Sequence, residues 1–348
     1  MRNSPKGKFI AAMASIAVAA GLLAGCAGPA EADKTGSEEG APYQGSKDEN
    51  YYMLTFLSGD PFWKDTFRGF EDAAELLGVK AHYGGATEYD VNLAIQALEQ
   101  TAAKKPQGIA VTAMDADAYV DPINRIVESG TNLVTFDADA PASDRLAFLG
   151  TGNYAAGSEA AHELAKLYPE TEEVKVGVVT TLGQTNLMDR LAGFQDTIAA
   201  NYPNIEVVEV ADSGADETSA SQAASNLIKA NPDLNAIFPA LVLAQVGTLT
   251  ALEEANLTDK VKVITFDSHE LTLRNIEAGK VAFTIAQGPY HMGYWSMMML
   301  YAVEHDLVNP VENWRENGIS PLPPLTDTGA FLIDPDNVQA YLESIVTE

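Results

Sequence analysis

Apolar positions along the chain follow two periods that take turns. Short runs rich in β-branched and aromatic residues, at 51–58, 79–83, 109–112, 133–136 and 146–149, predict buried strands. Between them the apolar residues fall at helical spacing: 62–77, stopped by Gly78; 89–103, with Val91, Ile95 and Leu98; and 119–128. Asp60 is placed to cap the first helix, with Pro61 at its first position. Gly150-Thr151-Gly152-Asn153 breaks the pattern, which then restarts. Helices are predicted at 155–167, 187–200, 218–229 and 244–255, and strands at 174–179, 206–210, 236–238, 261–266 and 281–286. Gln287-Gly288-Pro289 breaks it again before a helix over 290–304, whose Met292, Met297, Met298 and Met299 read as core filler. A strand at 329–333 and a helix at 337–346 close the chain. Such alternation predicts an α/β fold of parallel sheets with helices on both faces.

One strand end is written twice. Leu133-Val134-Thr135-Phe136-Asp137 and Val263-Ile264-Thr265-Phe266-Asp267 are both apolar runs stopped by a carboxylate. Each is preceded by a strand and a helix, so one module occupies both halves. Open α/β sheets bind ligands at strand carboxyl ends, and two such edges facing each other would make a cleft. Two lobes should therefore exchange chain near 151, 288 and 327.

The first residues stand apart from this pattern. Arg2, Lys6 and Lys8 precede a run of small and apolar residues over 9–23, and Leu23-Ala24-Gly25-Cys26 follows. That layout predicts a secretory signal over 1–25. It resembles a bacterial lipobox, which implies that Cys26 is lipidated and that the protein is tethered in the cell envelope, at the outer face of the cytoplasmic membrane or in the periplasm. Cys26 is the sole cysteine, so no intrachain disulfide can form. Residues 26–48 have almost no large apolar side chain and read as a flexible acidic linker. Without the three basic residues of the signal, 18 Lys and Arg face 49 Asp and Glu, a net charge near −31. A body this acidic argues against nucleic acid and against adsorption to anionic lipid.

From Tyr51 onward the chain resembles the ribose-type (type I) periplasmic binding proteins, the extracytoplasmic receptors of bacterial ABC sugar importers. The matching stretches are Asp60-Pro61-Phe62-Trp63, Phe136-Asp137-Ala138-Asp139-Ala140-Pro141, and Gly150 through Gly157. Asn186 through Phe194 (with Arg-x-x-Gly-Phe), Phe266-Asp267 and Ala286 through Tyr294 follow in the same order and spacing. The resemblance implies two Rossmann-like lobes joined by three crossover hinges. It divides the chain into an N-terminal lobe of 49–151 plus 288–327 and a C-terminal lobe of 152–287 plus 328–348. It also implies a monomer that captures a monosaccharide or derivative and delivers it to an ABC permease.

A sugar presents hydroxyls around its ring and C–H groups on its faces, so it needs polar forks at the edge and an aromatic face. The resemblance assigns the hydroxyl-binding roles to Asp137, Asp267, Arg190 and Gln287, and the stacking faces to Phe62 and Trp63. Asp60, Asp139, Asn186, Leu241 and His269 complete the candidate site. Substituting Asp137, Asp267 or Arg190 by Ala should weaken binding while leaving unfolding of the empty protein nearly intact. Two departures make the site less polar than a ribose site. Pro239-Ala240-Leu241-Val242-Leu243 stands where a polar pair is common, and Ala138 stands where an Arg often follows the first Asp. No Gly-x-Gly-x-x-Gly, Walker loop or Gly-x-Ser-x-Gly occurs, so no enzyme, cofactor or metal is expected. Asp334-Pro335-Asp336-Asn337 lacks the glycine and closing Glu of a calcium loop and reads as a helix cap. Two alternatives remain: a receptor presenting its ligand to a membrane kinase or chemoreceptor, and glycoside chemistry by Asp137 and Asp267.

Overall fold

In a computed structural model of the chain, residues 44–60, 62–214 and 216–346 are described. The signal, Cys26, Pro61 and most of the expected linker lie outside them. All the elements below belong to the unit Tyr43–Glu348.

Two six-stranded sheets carry the fold. Lobe 1 is built from β1 (Asn50–Thr55), β2 (Lys80–Gly85), β3 (Gly108–Val111), β4 (Asn132–Phe136), β5 (Phe148–Gly150) and β11 (Leu325–Asp327). Its strand order is β2-β1-β3-β4-β5-β11. Lobe 2 contains β6 (Val174–Thr180), β7 (Ile205–Asp212), β8 (Ala236–Pro239), β9 (Lys262–Phe266), β10 (Phe283–Gln287) and β12 (Ala330–Ile333). Its order, β7-β6-β8-β9-β10-β12, repeats that of lobe 1 strand for strand. Every pairing is parallel except β10 with β12. That exception follows from the connection. β11 runs toward lobe 2 alongside β5, and the two residues after it send β12 outward against β10.

The chain passes between the sheets three times: after β5, after β10 and between β11 and β12. The helix after each of the first two crossings packs in the lobe it has just entered. α4 (Asn153–Lys166) lies on α5 (Thr185–Asn201) in lobe 2, and α9 (Pro289–Glu304) lies on α1 (Phe62–Leu77) in lobe 1. Glycine lets each pair approach closely. A Cβ on Gly193 would stand 1.9 Å from Tyr154 O, and one on Gly69 would stand 2.1 Å from Tyr290 O. Either contact would force the helices apart.

Each sheet is buried on both faces. In lobe 1, α1 and α9 cover one face, with Met292 and Met297 fully buried as the apolar spacing predicts. Leu98 of α2 (Val91–Ala102) and Ile123 of α3 (Val120–Glu128) cover the other. In lobe 2, α4 and α5 face α6 (Glu217–Ala230), α7 (Val242–Glu254), α8 (Glu270–Glu277) and α10 (Val338–Val346) across the sheet.

Two elements escaped the hydrophobic pattern. α8 buries only Thr272, Leu273 and Ile276, too few turns for a periodic signal. β11 has three residues at a sheet edge beside a Pro-rich stretch, and its hydrogen bonds rather than its side chains define it. Asp334 does serve the last helix. Its Oδ1 accepts from Asp336 N at 2.9 Å and its carbonyl accepts from Val338 N at 2.9 Å.

Candidate functional site

The carboxyl ends of β4 and β9 carry the same bend. Asp137 and Asp267 have φ of 59° and 73°, left-handed backbone that Asp tolerates better than most side chains. The ladder holds up to that point. Asp137 N donates to Leu149 O at 3.0 Å, and Asp267 N donates to Ile285 O at 2.9 Å. Leu57, in the loop between β1 and α1, is a third left-handed residue, with φ of 46°. A leucine there is strained, and such strain is common where a loop faces a ligand.

All three residues line one cavity of about 360 Å³ where the strand ends of the two lobes meet. Lobe 1 contributes Phe56, Leu57, Asp60, Phe62, Trp63 and Asp137. Lobe 2 contributes Arg190 and Asn186 from α5, Leu241 before α7, and Asp267, His269 and Gln287 from the ends of β9 and β10. The repeated Thr-Phe-Asp thus sets one carboxylate on each side.

Arg190 is the centre of the polar edge and is only 1% exposed. Its guanidinium is fixed from three sides. Nε and Nη2 donate to Asn153 Oδ1 at 3.2 and 2.7 Å, Nη1 donates to Ala240 O, and Cζ lies 3.4 Å from the Phe266 ring centroid. Asn153, the first residue of α4, is held in turn by donating to Thr151 O at 3.0 Å. A guanidinium so restrained meets a ligand with little rotamer entropy left to lose.

Burial sets the electrostatics. It raises the Asp137 carboxyl to about 7, helped by the nearby Asp267 and Asp60 and opposed by Arg190. Burial also raises Asp267, against Arg190, a hydrogen bond from Gln287 and one from the Val242 backbone. The Gln287 bond is Nε2 to Oδ1 at 2.7 Å. Arg190 is lowered to about 10 by burial, with both carboxylates opposing, and so stays charged at neutral pH. Five carboxylates line the cavity, Asp60, Asp65, Asp137, Glu217 and Asp267, with Arg190 as the single Lys or Arg among the described lining residues.

The aromatic side is built edge to face. Trp63 meets Phe56, Phe62 and Phe136 at centroid distances of 5.3, 4.9 and 6.0 Å, with planes near perpendicular. Its Nε1 is buried without a partner among the described residues. Asp60 Oδ1 accepts from Phe62 N at 2.9 Å, as the first turn of α1 requires. His269 Nδ1 accepts from Leu271 N at 3.4 Å and so caps α8 while lining the cavity.

Asp139 is the exception among the candidates. Its carboxylate is gripped by Arg145 through Nε and Nη2 and accepts from Thr135 Oγ1 at 2.6 Å. It does not line the cavity. Its proximity to Asp137 in sequence was misleading, because its carboxylate is committed to Arg145 and Thr135. Other contributors went unnoticed: Asn153, the aliphatic Val246 and Leu271, and a pair across the cleft mouth. In that pair Gln184 Nε2 donates to the Tyr89 hydroxyl, joining lobe 2 to lobe 1. Asn153 alone had a visible signal, an Asn opening the helix just after a Gly at a crossing. Arg190 also departs from expectation. It is held by backbone and Asn153, so its loss should disturb the empty fold.

Comparison with known proteins agrees with this architecture. The model of the periplasmic binding protein domain matches residues 51–305. Among solved structures, AraP, an arabinose binding protein from Geobacillus stearothermophilus, is 42% identical, with a TM-score of 0.76 over 84% of this chain and 99% of that one. The sugar-binding protein of a sugar ABC transporter from Bacillus halodurans is 39% identical, with a TM-score of 0.79 over 84% of this chain and 100% of that one. The xylose/arabinose-binding protein XylF of Sulfolobus acidocaldarius is 25% identical over 307 residues, covering 83% of this chain and 72% of that protein.

Proposed function

Because the chain belongs to the periplasmic binding protein domain family, we propose that its cleft captures a neutral monosaccharide and delivers it to an ABC importer. One observation carries the reading. Asp137 and Asp267 come from opposite lobes and flank a buried Arg190, beside the rings of Phe62 and Trp63, in one cavity. Carboxylates and a guanidinium bind vicinal hydroxyls in pairs, and rings cover C–H faces. Arabinose, xylose and other sugars named for the similar proteins fit this chemistry. A sugar ABC transporter, rather than a kinase, is what the Bacillus halodurans neighbour is named for, which supports delivery to an importer. The cleft binds without turnover, and the two carboxylates serve as acceptors.

Capture works by closure. The lobes hinge at 151–152, 288 and 328–329, and a ligand touching both favours the closed state. Lobes of 49–151 plus 288–327 and of 152–287 plus 328–348 move as bodies, and the protein acts as a monomer. Titration calorimetry of the purified chain against aldopentoses and aldohexoses tests the reading. At least one should bind with micromolar or tighter affinity, and heat from none of them would overturn it.

The proposed address is the outer face of the cytoplasmic membrane, through lipid on Cys26 after removal of 1–25. Cys26→Ser should then move the protein from the membrane fraction to the soluble fraction of the producing cells. Retention at the wild-type level would sink the anchor.

A further inference from the structure

The cleft is polar at some strand ends and aliphatic at another. β4, β9 and β10 deliver Asp137, Asp267 and Gln287, whereas the chain after β8 delivers Leu241, Val242 and Leu243, with Val246 one turn into α7. Leu187 of α5 and Leu271 of α8 also line the cavity. The Val242 N–H in this stretch is already engaged by Asp267. Leu241, at the cap position of α7, has no side-chain bond to the helix, so an Asn or Asp there would have suited the helix better. A hydroxyl buried against this wall would find no side-chain partner, which is costly.

Resting on the sugar reading above, we propose that the ligand is a neutral aldopyranose whose C5 edge carries only hydrogen or methyl. That edge of the ring lies on the Leu241–Val246 wall while the ring hydroxyls meet Asp137, Asp267, Arg190 and Gln287. C5 is chosen by chemistry. In aldopyranoses it is the ring carbon that has no hydroxyl of its own, so a pentose or 6-deoxyhexose presents carbon there. A C5 carboxylate is excluded twice, by the aliphatic wall and by five lining carboxylates that face a single arginine.

The test uses sugars that share ring stereochemistry and differ only at C5. L-Arabinose, D-fucose, D-galactose and D-galacturonate carry hydrogen, methyl, hydroxymethyl and carboxylate in turn. D-Xylose, 6-deoxy-D-glucose, D-glucose and D-glucuronate form the second series, and D-ribose, 6-deoxy-D-allose and D-allose the third. In the series that binds, titration of the full chain should show hydrogen or methyl at least tenfold tighter than hydroxymethyl, with no detectable binding of any carboxylate. Leu241→Asn should cut that preference at least fivefold in the same series. Hydroxymethyl binding as tightly as hydrogen and methyl, or an unchanged preference in the variant, would overturn the inference and leave sugar capture standing. Silence from every member, and from every other aldopentose and aldohexose, would bring down both.

Discussion

The two lobes are one design filled in two ways. Trp63-Lys64-Asp65-Thr66-Phe67-Arg68-Gly69-Phe70 in α1 matches Leu187-Met188-Asp189-Arg190-Leu191-Ala192-Gly193-Phe194 in α5, residue for residue in position. Each glycine meets the helix that has just crossed from the other lobe. The ring before each bent Asp is the platform in both. In lobe 1 the Trp63 ring stands edge-on to Phe136, while in lobe 2 the Arg190 guanidinium carbon lies over the Phe266 ring, 3.4 Å from its centroid. Where lobe 2 has Arg190, lobe 1 has the small, fully buried Thr66. The scaffold thus supplies two carboxylates symmetrically, and the helices divide the remaining work into rings on one side and charge on the other. A ligand needing both is held well only when the lobes meet.

The largest effects should expose that division. Arg190→Met removes the cation that both buried carboxylates face and leaves them uncompensated. Unfolding of the empty protein should cost less by about 3–5 kcal/mol, the usual penalty for breaking a buried charge pair. Ligand affinity should fall more than a hundredfold. Thr66→Ala, the matching change in lobe 1, should shift stability by only about 1 kcal/mol and leave affinity within a few fold. Urea unfolding and calorimetry on both variants measure the contrast. Similar losses from the two would mean that the lobes share the charge work after all.

The carboxylates themselves sharpen the comparison through pH. Asp267 is supported by Gln287 and the Val242 N–H, whereas the influence opposing burial at Asp137 is the charge of Arg190. A carboxyl raised to about 7 in the folded state holds its proton more tightly there than in the unfolded chain. Its contribution is therefore fully present below about pH 4 and fades as pH climbs to about 7, opposite to a salt-bridged Asp. Between pH 5 and pH 8 the empty protein should lose roughly 2–3 kcal/mol relative to Asp137→Asn. Urea midpoints of the pair at both pH values decide it. A wild type that gains on the variant as pH rises would contradict an acid whose burial outweighs the charge of Arg190.

Much of this could be read before any coordinates, and what could not has a common cause. Strands buried on both faces announce themselves by unbroken apolar runs, so nearly every sheet strand was legible. The repeated Thr-Phe-Asp gave away Asp137 and Asp267, and Arg-x-x-Gly-Phe gave away Arg190. Residues that act across the fold left no local trace. Asn153 lies 37 residues from the arginine it orients, and Tyr89 lies 95 from Gln184. Asp139 misled for the converse reason, since it stands two residues from a site carboxylate yet is committed to Arg145, six residues on. The α1–α5 match was there to be seen, but Thr66 facing Arg190 and Trp63 facing Leu187 hid it behind opposite chemistry.

The smallest effect concerns the contact that joins the two fillings at the cleft mouth. Gln184 stands at the cap of α5, where its carbonyl accepts from Met188 N at 2.9 Å, yet its side chain makes no bond to that helix and donates to the Tyr89 hydroxyl of the other lobe instead. The Tyr89 ring rests edge-on against Phe56 at 5.5 Å, so Tyr89→Phe should keep the ring and delete only the hydroxyl. Both residues are partly exposed, and water can replace either partner when the lobes part. The bond should then contribute about 0.5–1.5 kcal/mol to the closed state alone. Tyr89→Phe should weaken ligand binding two- to tenfold, chiefly through faster release, with the unfolding midpoint of the empty protein unchanged. Gln184→Ala should do the same, and the double variant should be little worse than either single one, because each change already breaks the one bond they share. Losses that simply add would mean that the two side chains act separately, and that closure is held by the ligand and not by the lobes.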